Sequence, residues 1–189
     1  MRKLNDFDVY RFRKVQTIIS ILTFISIFLF SWNVNGFSIT DIQLSNWGIS
    51  EIGWIWNTCL VMLSISIYIN VYYYIRQHSR MMYKEIFQIL FFLVSFFLLV
   101  TAVASMEYTI HHYVAYLYFF LYPLVIFSMA YMNRKNIQYK EWIHHVIVSS
   151  LMIILPLILM KFFVGDAIAE SSHSMMVIYW NIWILRNDC

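Results

Sequence analysis

Long apolar runs separated by short polar connections organise this chain. Six stretches reach the roughly 20 residues that a helix needs to cross a hydrocarbon core. They lie near 16–34, 51–75, 86–106, 112–132, 142–164 and 168–186. Runs such as FQILFFLVSFFLLV are continuously apolar, without the alternation that strands of a membrane barrel require. A backbone in lipid must satisfy each amide within its own segment, so the pattern predicts helices. The expected fold class is all-α: a polytopic integral membrane protein whose six transmembrane helices form one bundle over 16–186. A basic cytoplasmic tail at 1–15 precedes it, and a short cytoplasmic tail at 187–189 follows. No soluble domain is expected, because the longest connection runs only from Asn35 to Ser50.

Two prolines interrupt this picture. Pro123 and Pro156 fall inside the fourth and fifth segments. Each lacks an amide, frees a backbone carbonyl and predicts a kink, and bent helices can open a cavity between them. No GxxxG pair signals tight glycine-mediated crossing. The basic start resembles a secretory leader, but SWNVNGFS offers no small-residue cleavage site, so the first segment is expected to stay as a helix.

Charge orients the bundle. Twelve of the 13 Lys and Arg residues fall on one side of the segments: Arg2, Lys3, Arg11, Arg13, Lys14, Arg76, Arg80, Lys84, Arg134, Lys135, Lys140 and Arg186. The positive-inside rule makes that side cytoplasmic and places both termini there, as six spans require. Only 12% of residues are charged, against roughly 25% in a soluble domain. The net charge of +3 is spread over four juxtamembrane stretches, so no nucleic-acid partner is implied. Cys59 lies within a span and Cys189 ends the chain, at depths too different for a disulfide. Trp32, Trp47 and Trp54 fit an outer aromatic belt, and Trp142, Trp180 and Trp183 an inner one.

The opposite side collects acids and histidines: Asp41, Glu51, Glu107, Asp166 and Glu170, with His111, His112 and His173. If the third connection is helical, Glu107 and His111 share a face at i, i+4; Glu170 and His173 share one at i, i+3. Glu170, His173 and Asn57 reach below the interface, where polar groups are costly and suspected of function. Three chemistries could use the set. Glu170 and His112 could act as an acid–base pair. Zinc, or another divalent metal, could take His112, His173 and Glu170 with a water. A binding site could use Asp41, Glu51, Asn57, His111 and His173 to hold a lipid head group. Haem on His112 and His173 lacks any supporting local motif. Glu170–His173 and Glu141–His144 both read E-x-x-H, yet opposite sides of the membrane keep them from sharing a di-iron centre. His78, His144 and His145 are expected at the basic surface rather than as ligands. Lys161, the one basic residue on the acidic side, is expected to pair with Asp166 or Glu170.

These positions also carry a likeness. ITDIQLSNWGISEIGWIWN, with Asp41, Gly48, Glu51 and Asn57, resembles the outer loop of the six-helix Frag1/DRAM/Sfk1 superfamily and the related prokaryotic DUF998 proteins. HHYVAYLYFF supplies the histidine that opens helix four in those proteins, and Glu170 in AIAESSHSMMVIYWNIW the acid that opens helix six. Thr40 and Trp56 depart from the pattern, and the loop is stretched between Asp41 and Glu51. The resemblance implies six helices with cytoplasmic ends and, from the eukaryotic members, lipid handling, while the prokaryotic members have no settled activity; the expected location is a bacterial inner membrane.

The leading expectation is therefore a protein that binds or modifies a membrane lipid in a pocket between helices two, four and six. A non-catalytic subunit or assembly factor packed against other membrane subunits is the alternative. A small transporter ranks third, because no inverted repeat is visible.

Overall fold

The computed structural model describes residues 6–34, 53–104, 108–163 and 167–187. They form six helices: α1 (Asp6–Val34), α2 (Gly53–Gln77), α3 (Lys84–Val103), α4 (Thr109–Met132), α5 (Tyr139–Phe162) and α6 (Ala167–Asn187). Among the described residues, α2, α3, α4 and α5 are each long and apolar enough to cross a membrane. The first two turns of α6 hold Glu170, Ser171, Ser172, His173 and Ser174, so its polar character is concentrated at one end.

Each helix packs on the next in the chain, and α6 returns to meet α2 and α1. The centre is aromatic. Phe91 of α3 stacks on Trp180 of α6 with ring centroids 5.9 Å apart, and Tyr122 of α4 meets the same indole edge-on. The outside is as apolar as the inside. Ile89, Phe92, Leu93 and Phe96 stand out from α3, and Ile147, Leu151, Ile154 and Ile158 from α5. Stripes of that extent would aggregate in water; hydrocarbon solvates them, and the polar side chains turn inward. Ser64 of α2 donates to the Ser95 carbonyl of α3, and Asn181 of α6 to the Tyr122 hydroxyl.

Three sequence expectations change. The first helix begins at Asp6, so residues 6–15 are helical rather than a tail. Arg13 is fully buried between α1 and α2, donating to the Asn70 carbonyl at 3.0 Å and lying 5.2 Å from the Tyr73 ring centroid. A guanidinium offers several donors and a planar face, so packing against α2 replaces the water a free tail would provide. Trp180 belongs to the core instead of an interfacial belt, because its indole N–H finds a buried acceptor. Trp54, exposed at the start of α2, does fit a belt position.

Candidate functional site

On the acidic side, where α4 begins, α5 ends and α6 begins, the bundle forms a partly open cavity of about 150 Å³. Phe119, Phe120, Ile153 and Leu157 give it apolar walls; His111, His112, Glu170 and His173 supply the polar groups. The starts of two helices, α4 and α6, therefore bring four of the expected residues to one place. The partner helix differs from expectation. α5 supplies Met152, Pro156 and Met160, whereas Asn57 on α2 is not part of this lining. The order of packing explains the substitution, since α5 is wedged between α4 and α6.

Proline chemistry builds the site. Pro156 has no amide to offer the Met152 carbonyl one turn earlier. His173 Nδ1 lies 3.1 Å from that oxygen and donates its proton there. His173 is buried to 1% exposure, with Phe119 packed edge-on at 4.7 Å and Tyr118 at 5.6 Å. Its other nitrogen, Nε2, has no hydrogen-bond partner among the described residues. His111 is held in the same manner. Its Nδ1 donates at 3.0 Å to the carbonyl of Ala104, which caps α3 after its last turn. The His112 ring meets that of His111 edge-on at 5.5 Å.

Asp41, Glu51, Glu107 and Asp166 lie outside the described residues, and with them the outer-loop motif. Among the described residues no group of three or more His, Cys, Asp or Glu side chains is placed to hold a metal ion. His112, His173 and Glu170 line one cavity and do not form such a group among the described residues. The Nδ1 of His173 is already committed to backbone. Lys161 is exposed at the end of α5, and Asp166, one of its two expected partners, lies outside the described residues.

The larger correction lies at the basic end. His145 is fully buried. The Trp180 indole can only donate, so at 2.9 Å it makes His145 Nδ1 an acceptor. The ring proton then sits on Nε2, which donates to the Tyr74 hydroxyl at 2.7 Å. Tyr74 passes its own proton toward Glu141. His78 closes the set, with Nδ1 2.8 Å from the Tyr74 carbonyl and Nε2 3.0 Å from the Glu141 carboxylate. Both its nitrogens face oxygen acceptors, the arrangement of an imidazolium paired with a carboxylate. His144 is half-buried, stacked on Trp183 at 3.8 Å. All three basic-side histidines are therefore partnered within the bundle. The signal was present as two i, i+4 pairs, Tyr74–His78 and Glu141–His145.

No model of a known protein family matches this chain, no characterised protein is similar to it at a meaningful level, and no solved structure shares its fold closely enough to match.

Proposed function

We propose that this chain crosses the plasma membrane six times, keeps its basic side and both ends in the cytoplasm, and binds a lipid in the cavity at the opposite side. The observation that carries this proposal is the composition of one partly open cavity: apolar walls from α4 and α5, with His111, His112, Glu170 and His173 at its polar edge. Such a mixture suits an amphiphile, with orientation set by a few polar groups and affinity by apolar contact. Polar groups at this depth are costly in lipid unless something uses them. The positive-inside rule supports the orientation.

The size of the cavity narrows its content. A cavity of about 150 Å³ holds a molecule the size of benzene, so a head group or a chain end fits and a whole phospholipid does not. The remainder of the ligand would stay among the bilayer chains. Turnover by Glu170 and His112 as acid and base would appear as chemically altered lipid in the same preparation.

Native mass spectrometry of the full chain, extracted gently and stripped stepwise of detergent, tests binding. The expected result is a lipid retained after bulk lipid is gone, and its loss in Ala115→Phe, which places a ring inside the cavity. Absence of any retained lipid, or equal retention by a folded Ala115→Phe variant, would remove the proposal.

A further inference from the structure

The polar edge of the cavity has a definite hydrogen-bonding sense. His173 spends its Nδ1 proton on the carbonyl that Pro156 leaves open. It is 1% exposed, and aromatic rings pack around it. Such surroundings disfavour a charged imidazole. A neutral ring has a single proton, so Nε2 presents a lone pair. That lone pair is buried, without a partner among the described residues, in a residue that lines the cavity. His111, also with Nδ1 on a backbone carbonyl, presents its ring in the same sense. Glu170, one turn from His173, is an acceptor whenever ionised.

From these groups we infer that the cavity selects a lipid whose head carries a hydrogen-bond donor, a hydroxyl or a primary ammonium, and that His173 Nε2 accepts it. The inference rests on the lipid-binding proposal and deepens it. A head without a donor, such as a bare phosphate diester or one ending in a quaternary ammonium, would leave Nε2 buried and unsatisfied. No covalent step is involved; the site reads the direction of one hydrogen bond. Discrimination by a buried polar group left unpaired is larger than discrimination by size alone.

The test uses the full chain in nanodiscs with matched dioleoyl lipids and reads retained lipid by native mass spectrometry. Phosphatidylethanolamine and phosphatidylcholine share chains, phosphate and net charge, and differ in N–H donors. Diacylglycerol supplies a hydroxyl without phosphate. Wild-type protein is expected to retain at least one donor lipid about tenfold over phosphatidylcholine, the scale of one buried hydrogen bond. His173→Phe should abolish that preference while keeping a ring in place. His173→Gln, which can return an acceptor oxygen near the position of Nε2, should restore part of it. A preference for the ethanolamine lipid that Glu170→Gln weakens supports an ammonium; undiminished retention of diacylglycerol supports a hydroxyl.

Equal retention of all three lipids by wild-type protein overturns the inference, and this comparison needs no variant to fold. A donor preference that survives in His173→Phe overturns it equally. If binding is blocked by Ala115→Phe but shows no head-group preference, the lipid site stands and only the donor rule falls. If no lipid is retained at all, both fall together.

Discussion

Trp180 donates its indole N–H to Nδ1 of His145 at 2.9 Å, and this contact fixes the direction of every hydrogen bond beyond it. Indole has no acceptor, so the imidazole proton must lie on Nε2, facing Tyr74. The result is a directed chain through α6, α5 and α2 that ends on Glu141 and His78. Trp180→Phe keeps most of the ring packing on Phe91 but strands His145 Nδ1 in the interior. The expected loss is about 1–3 kcal/mol of stability, as for a buried polar atom left without its partner. Thermal or denaturant unfolding in a fixed detergent reads it, and an unchanged midpoint would show that the contact has no energetic weight.

Tyr74 serves both neighbours, since its hydroxyl accepts from His145 and donates to Glu141. Tyr74→Phe strands the buried His145 N–H and also removes one of the two donors at Glu141 Oε1, where His78 remains, and should destabilise more than Trp180→Phe. The two losses should also fail to add, because both act on His145. A double-mutant cycle is expected to show a coupling of about 0.5–3 kcal/mol; strict additivity would mean that the chain is two separate contacts.

This network shows what sequence alone could and could not reveal. Helix positions were legible because continuous apolar runs of spanning length admit little else. The acidic-side cluster was legible because Glu170 and His173 share a helical face and a six-span reading puts them on the same side as His111 and His112. The choice of α5 over α2 as the third wall was not, since lateral packing order leaves no periodic trace. His145 was misplaced because Lys140 and Glu141 beside it argue for a wet interface. Its burial depends on Tyr74 and Trp180, residues far away in sequence. Arg13 was misplaced for the same kind of reason, its partners being on α2.

Tyr83 precedes α3 with φ 58°, the one non-glycine residue with positive φ among those described. A side chain there crowds the following carbonyl, by roughly 1–2 kcal/mol for a residue other than glycine. Tyr83 is 47% exposed, so little packing offsets that strain. Tyr83→Gly is expected to leave stability unchanged or raise it by up to about 1 kcal/mol, whereas Tyr83→Val should lower it. Unfolding midpoints of the pair decide; a marked loss on Tyr83→Gly would mean the ring anchors the loop at the interface.

The proposed six-span topology is open to cysteine labelling. Cys59 is buried and should stay silent toward a membrane-impermeant maleimide. In a Cys189→Ser background, Arg80→Cys and Lys135→Cys should label only after the cytoplasmic side is opened, and Tyr108→Cys in intact cells. Native Cys189 should follow the first two. Labelling of Cys189 from the outside would reduce the spans to an odd number.

Pro156 offers the sharpest separation of stability from function. Pro156→Ala restores an amide that can bond the Met152 carbonyl, completing the α5 ladder. Helix formation should improve, since proline is about 3 kcal/mol less favourable than alanine in a helix interior. The same new bond competes with His173 Nδ1 for its acceptor. Freed from that carbonyl, the imidazole can turn or exchange tautomers, and Nε2 is no longer held as a fixed acceptor. The variant is therefore expected to unfold at the same or a higher temperature, yet to lose most of the discrimination between ethanolamine and choline lipids. Retained discrimination in a stabilised Pro156→Ala protein would show that the Phe119 and Tyr118 rings, rather than the open carbonyl, hold His173 in place.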